Sequence, residues 1–237
     1  MRLLLISNSA SPGESYLEKP ASDIKSFLGD ERSKEVVFIP FAGVTFSFDE
    51  YVEKVNKALS GVGVTVKGIH TFENPIKAIM EAKAIMVGGG NTFQLTKMMQ
   101  EQGLIQAIRE AVKSGTPYLG WSAGSNVACP TLCTTNDMPI LEPISFEALN
   151  LIPFQINPHY LDAHPTNHGG ETREQRLLEY IAANRDMYVA GLREGSRFLI
   201  EDDKITLKGE NNLRVFKYGE EIKEYKPSED LSFLMKR

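Results

Sequence analysis

Gly120-Trp121-Ser122-Ala123-Gly124 follows the apolar run Pro117-Tyr118-Leu119 and precedes a helix-compatible run from Ala123 to Ala128. A serine between two glycines at a strand-to-helix junction is the pattern of a nucleophile elbow. Such a turn is sharp, and it leaves no room for side chains two positions to either side of the serine. It also aims the next backbone N–H at the space in front of the hydroxyl. Ser122 is therefore the candidate nucleophile for a carbonyl, and the Ala123 N–H a candidate donor to the oxyanion that would form. Taken alone, the pentapeptide also reads as a glycine-rich turn with an incidental serine. The rest of the chain has to choose between these.

Working outward, apolar runs alternate with helical patterns. Strands are expected at Arg2–Ser7, Glu35–Phe41, Val64–His70, Ala84–Val87 and Pro117–Gly120. Helices are expected at Tyr16–Phe27, Phe48–Leu59, Pro75–Ala82, Thr92–Gln100 and Leu104–Lys113. Ser47 and Glu50 form a capping pattern for the second helix, in which Tyr51, Val52, Val55 and Leu59 recur at helical spacing. The strands are continuously apolar, as in a parallel sheet covered on both faces. The alternation predicts a three-layer α/β fold with a mostly parallel central sheet. The second half is less regular. A proline-punctuated loop runs from Pro130 to Pro158 and holds the apolar segment Leu151–Ile156. A helix is expected at Glu171–Ala183 and a strand at Tyr188–Leu192. Short strands follow at Phe198–Ile200, Lys204–Leu207, Leu213–Lys217 and Glu221–Tyr225, read as an antiparallel meander on the edge of the main sheet.

The composition narrows the class of function. A chain of 237 residues, 42% hydrophobic, is expected to form one domain spanning 1–237 with its own core. A net charge of −5 with no basic stripe argues against a nucleic-acid partner. No run approaches a membrane span, and the opening apolar run is too short for a secretory signal, so a cytoplasmic location is expected. Cys129 and Cys133 exclude a disulfide scaffold and cannot alone hold structural zinc. They read as two small buried thiols of a reducing compartment.

A serine nucleophile needs a base, and the chain has four histidines, His70, His159, His164 and His168. His70 ends an early strand and reads as structural or exposed. His159, in Gln155-Ile156-Asn157-Pro158-His159, stands just past an apolar strand, at the rim where α/β sites form. His164 and His168 fall in a Pro/Gly-rich loop and read as surface residues. The spacing of the three fits no helical metal-ligand pattern, so no metal is expected. Two acids are placed to orient the base, Asp137 in a loop after the elbow and Glu194 at the end of a strand. The order Ser122, His159, Glu194 is not that of an α/β-hydrolase, where the acid precedes the histidine. Ser122, Asp137, His159 has that order in too short a span. Class I amidotransferases carry cysteine at the elbow and a His-x-Glu pair, and His159-Tyr160-Leu161 lacks the glutamate. A second glycine cluster, Gly88-Gly89-Gly90, ends a strand and opens a helix. It has neither the dinucleotide fingerprint nor a P-loop lysine. Its N–H groups are read as the second half of an oxyanion hole in preference to a plain tight turn.

At these motifs the chain resembles the peptidase-E-like serine hydrolases. The resemblance runs through Leu3 to Ser9, Phe38 to Val44, Val87 to Leu95, the elbow, Thr134 to Ile140, Gln155 to His159 and Gly170 to Arg176. It implies a flavodoxin-like or class I amidotransferase-like architecture and a serine exopeptidase without a cofactor. The implied substrates are small peptides, chiefly dipeptides, with an N-terminal aspartate, and either a monomer or a homodimer would serve. The resemblance puts the nucleophile at Ser122 and the base at His159. Its orienting acid falls on Glu194 in one description and on Asp137 in another. Glu194 is preferred, because a strand end is held more rigidly than a long loop. Selectivity for aspartate needs a cation, and Arg173 is the candidate because a guanidinium matches a carboxylate bidentately. Taken by itself, Arg173 also reads as a helix-surface residue paired with Glu171 or Glu174. Two other readings stay open. One is a cyanophycinase-like acyl hydrolase, which would need a wider, more acidic cleft. The other is a binding module holding an anion at Gly88–Gly90.

Overall fold

The computed structural model describes residues 1–33, 35–162 and 169–236. Its first half alternates strand and helix. The elements are β1 (Arg2–Ile6), α1 (Ala21–Arg32), β2 (Val36–Ile39), α2 (Phe48–Leu59), β3 (Val66–Gly68), α3 (Pro75–Met80), β4 (Ala84–Val87), α4 (Thr92–Glu101), α5 (Leu104–Lys113), β5 (Tyr118–Trp121) and the short α6 (Ala123–Asn126). Strands β3, β2, β4, β5 and β1 lie side by side in that order and pair in parallel. Successive residues of a strand point to opposite faces, and both faces are covered. Leu4, Ile6, Phe38, Met86 and Trp121 share a core with Ile24 and Phe27 of α1 and Val55 of α2. Leu3, Leu5, Ile39, Val87 and Tyr118 pack on the other side with Leu95 and Met99 of α4 and Ile108 of α5. The chain thus forms a mixed α/β fold with a mostly parallel central sheet.

Local chemistry sets the helix ends. The Ser47 hydroxyl accepts from the Glu50 N–H while the Glu50 carboxylate accepts from the Ser47 N–H, so α2 opens with the capping box read from the sequence. The first helix starts at Ala21 rather than Tyr16, because Pro20 cannot stand inside a helix. It also runs past Phe27, breaking at Gly29, where φ is 71°.

The second half contains β6 (Gln155–Tyr160), α7 (Arg173–Ala183), β7 (Val189–Arg193), β8 (Arg197–Glu201), β9 (Lys204–Lys208), β10 (Leu213–Phe216) and β11 (Lys223–Tyr225). Its last four strands are antiparallel, but they do not form one meander. β8 and β9 extend the main sheet beyond β1, whereas β10 and β11 join β7 and β6 in a second sheet ordered β11-β10-β7-β6. The division follows from the burial of β7. Val189, Ala190 and Leu192 are fully buried, so the strand needs a paired neighbour along each edge to satisfy its backbone. β6 takes one edge and β10 the other. The cysteines also differ from expectation. Cys129 is buried, but Cys133 is exposed on the loop that follows. Among the described residues, no helix is long and apolar enough to cross a membrane.

Candidate active site

The backbone of the elbow is unusual at one residue. Ser122 has φ 53° and ψ −113°, outside the regions L-residues favour. Its N–H donates to the Ile6 carbonyl at 3.0 Å, and its own carbonyl accepts from the Ser125 and Asn126 N–H groups that start α6. The turn is therefore held from both sides. The flanking glycines are a packing requirement. A Cβ on Gly120 would strike the Gly124 backbone, and a Cβ on Gly124 would strike the Val87 carbonyl.

His159 reaches this hydroxyl from the other sheet. Its Nε2 lies 2.9 Å from Ser122 Oγ, and its Nδ1 lies 2.7 Å from Glu194 Oε1. A carboxylate can only accept, so Nδ1 carries the proton and Nε2 is left to accept from the serine. His159 stands inside β6, where the pairing with β7 is irregular between Asn157 and Tyr160. Pro158 has no N–H to give that ladder, and His159 itself has φ 52°. The bulge turns the imidazole toward the elbow. Glu194 directly follows β7, on the short connection into β8.

Asp137 sits elsewhere. Its Oδ2 accepts from the Thr92 N–H at 2.7 Å, the Thr92 hydroxyl at 2.6 Å and the Thr135 hydroxyl at 3.0 Å. It holds the N-terminus of α4 beside the glycine loop, where a carboxylate is favoured by the helix dipole. Both ring nitrogens of His159 are engaged by other groups, so Asp137 does not occupy the orienting position. Arg173 opens α7 and is half-buried. Its neighbouring acids go to other partners, Glu174 to Arg214 at 2.6 Å and Glu171 to Arg176 at 3.8 Å. Among the described residues Arg173 has no ion-pair partner. Burial, reinforced by Arg176, pulls its pKa down, and the nearby Tyr160 and Asp137 oppose this. The Gly88 N–H donates to the Ile39 carbonyl at 3.1 Å, which removes it from the expected oxyanion donors. It continues the strand ladder by one residue. Among the described residues, the N–H groups of Gly89, Gly90 and Ala123 have no acceptor. A Cβ on Gly89 would lie 3.0 Å from the Ser122 Cβ, so the loop abuts the elbow directly. His70 lies apart, with Nε2 2.9 Å from Asp49. His164 and His168 fall outside the described residues. Among those described, no group of three His, Cys, Asp or Glu side chains is placed to hold a metal ion.

Several supporting residues escaped the reading of the sequence. The Ser7 hydroxyl donates to the Leu192 carbonyl at 2.7 Å and accepts from the His159 N–H at 2.9 Å. Asn8 Oδ1 accepts from the Gly195 N–H at 2.7 Å, and Asn211 Nδ2 donates to the Glu194 carbonyl at 2.9 Å. Asn136 Nδ2 donates to the Pro158 carbonyl at 2.7 Å. The available signal was positional. Ser7 and Asn8 directly follow β1, which pairs with the strand leading into the elbow, and short polar residues buried there need hydrogen-bond partners.

The model of peptidase family S51 matches residues 3–208. The chain belongs to peptidase family S51. Membership makes it a peptidase. It is 52% identical to peptidase E from a Nostoc species over 236 residues, covering 100% of this chain and 97% of that one. It is 50% identical to peptidase E from Shigella flexneri over 221 residues, covering 93% and 96%. Two solved structures share the fold. A putative peptidase E protein from Listeria monocytogenes superposes with a TM-score of 0.64 at 24% identity, covering 88% of this chain and 98% of that one. A peptidase from an acI-B1 actinobacterium gives 0.70 at 19% identity, covering 98% and 96%.

Proposed function

We propose that this S51 peptidase is a serine exopeptidase that cleaves dipeptides carrying an N-terminal aspartate, through an acyl-enzyme on Ser122. The observation that carries the reading is the line from Glu194 Oε1 through the His159 ring to Ser122 Oγ, with steps of 2.7 and 2.9 Å. His159 Nε2 takes the hydroxyl proton as Ser122 Oγ attacks the aspartyl carbonyl. Glu194 keeps the imidazole in the tautomer this needs and stabilises the imidazolium that results. The N–H groups of Ala123 and of Gly89 or Gly90 receive the oxyanion. His159 then returns the proton to the leaving amine, and water resolves the ester.

Substrate choice falls to two opposite charges within electrostatic reach of each other. Arg173, half-buried and without a carboxylate partner among the described residues, takes the aspartate side chain. Asp137 takes the free α-ammonium, with an Oδ1 that has no donor among those residues while Oδ2 is held by three. A test compares the parent with Ser122→Ala against Asp-Leu, Glu-Leu, Asn-Leu and an aspartyl ester. The expected result is turnover of the aspartyl substrates by the parent and none by the variant, with folding intact. Turnover retained without the Ser122 hydroxyl would remove it as nucleophile.

A further inference from the structure

The glycine loop beside the elbow is fixed at three points. The Gly88 N–H donates to the Ile39 carbonyl, the Asn91 N–H donates to the Ala42 carbonyl at 2.8 Å, and the Gly89 carbonyl accepts from the Tyr51 hydroxyl at 2.8 Å. The first two anchors are backbone to backbone. The third comes from a side chain of α2 that the chemistry described above does not use.

Tyr51 is held in one place. Its ring is buried and boxed by Phe38 and Phe46, with centroids 5.0 and 5.1 Å away and both contacts near perpendicular. The hydroxyl lies 2.7 Å from where a Cβ on Gly88 would stand, so only a glycine there lets it reach the loop. A carbonyl can only accept, so the Tyr51 proton is committed to Gly89. The Tyr51 oxygen accepts in turn from the Tyr16 hydroxyl at 3.1 Å. The two hydroxyls form a directed chain in which each bond polarises the next. Burial pushes the Tyr51 hydroxyl up to about 12 and the Tyr16 hydroxyl higher still, so both stay protonated as donors.

The consequence lies on the far side of one peptide plane. In a trans peptide the carbonyl of one residue and the N–H of the next point in opposite directions. Holding the Gly89 carbonyl therefore fixes the direction of the Gly90 N–H, which has no acceptor among the described residues. We infer that Tyr51, backed by Tyr16, is a positioning residue for the oxyanion hole, locking the Gly89–Gly90 peptide so that the Gly90 N–H is aimed before substrate arrives. Two glycines in succession would otherwise let this peptide rotate at little cost. A donor held in place in advance stabilises the transition state without reorganisation, so its value appears in turnover rather than in substrate affinity.

This inference rests on the acyl-enzyme reading of Ser122, and its test keeps the two apart. The probe is the boronic acid analogue of aspartate, in which boron replaces the scissile carbonyl carbon. Ser122 Oγ adds to boron, its proton passes to His159, and one boronate oxygen occupies the oxyanion position. Tyr51→Phe keeps the ring and removes only the hydroxyl. It is expected to lower kcat and weaken the boronate by about tenfold or more, while the Kd of Asp-Leu in a Ser122→Ala background changes by less than about twofold. Equal weakening of boronate and dipeptide, or no weakening of either, would overturn the positioning role. If Tyr51→Phe melts well below the parent, Tyr16→Phe carries the test, because it leaves the Gly89 bond and removes the donor behind it. There a boronate loss of about threefold with unchanged dipeptide binding supports the relay, and unchanged boronate binding overturns it. Turnover by Ser122→Ala alone would count against the acyl-enzyme, whatever Tyr51 does.

Discussion

His159 Nδ1 lies 2.7 Å from Glu194 Oε1, where β6 meets the end of the parallel strand β7, and that bond decides which ring nitrogen meets Ser122. Glu194→Gln keeps the shape but offers an amide that can donate to Nδ1, which favours the wrong tautomer. Turnover of Asp-Leu is expected to fall by about 10³-fold or more with little change in KM. Asp137→Asn is expected to act mainly on KM, since on the proposed reading Asp137 holds the substrate's ammonium and does not touch the imidazole. Steady-state kinetics of the two variants side by side check the assignment, and a larger kcat loss in Asp137→Asn would reverse it.

Arg173 should govern selectivity more than rate. Arg173→Met removes the cation while preserving a long apolar stem over the same surface. A charge-assisted hydrogen bond contributes about 1.5–3 kcal/mol, so the preference for Asp-Leu over Asn-Leu is expected to shrink by about 10- to 100-fold. Competition between the two dipeptides in one reaction measures this directly. An unchanged ratio would take Arg173 out of the substrate site.

Gly124→Ala tests the packing of the elbow rather than its chemistry. The added methyl would strike the Val87 carbonyl, which belongs to the sheet and cannot swing aside. A cost of about 1–3 kcal/mol is expected, seen as a lower melting temperature. An unchanged melting temperature would mean that the turn relaxes freely.

Acid should loosen the second sheet. Arg193 grips Asp162 with two bonds of 2.7 Å and Glu224 with bonds of 2.7 and 2.8 Å. Hydrogen bonding to Arg193 holds both carboxyls below their usual range against an opposing burial effect. A carboxyl with a lowered folded pKa adds stability that is present above its unfolded pKa and disappears as pH falls through the folded value. The melting temperature is therefore expected to drop as pH falls below about 4, and to drop less in Arg193→Met, which has already lost the pairing. Thermal melts of both proteins from neutral to acid pH give the comparison, and parallel curves would exclude Arg193 as the cause.

Much of the fold was legible because its strands are short, mostly apolar and separated by helices, three of which open on side-chain caps at Ser47, Asn74 and Asn91. Phe48–Leu59, Leu104–Lys113 and Ala84–Val87 fall where the sequence puts them. The elbow was legible for a different reason. Gly120 and Gly124 are tied to one local geometry, and local geometry is what a sequence encodes most directly. What escaped depends on contacts between distant parts of the chain. Whether Leu213–Phe216 pairs with β7 or continues the main sheet depends on which edge needs a partner. The direction of the Gly88 N–H depends on β2, and the task of Asp137 depends on a helix 45 residues earlier. Ser7 lies in a family-like stretch and Tyr51 on the apolar face of a helix, but neither pattern names a partner for its hydroxyl. Their roles exist only where the folded chain brings a carbonyl or an N–H within reach.

The two side chains of the proposed proton transfer rise from different sheets, Ser122 from the seven-stranded one and His159 from the four-stranded one, with the Ser7 hydroxyl bonded across the join. Activity is thus a molecular ruler for the docking of those sheets. A slide of the sheets by about an ångström would stretch the 2.9 Å contact of hydroxyl and imidazole beyond hydrogen-bond reach without breaking a strand pairing within either sheet. Heating should silence hydrolysis several degrees before circular dichroism detects unfolding, and Ser7→Ala should widen that gap. The proposed mechanism thus predicts two separate temperatures, one at which work stops and one at which the fold is lost, with the seam between the sheets setting the first.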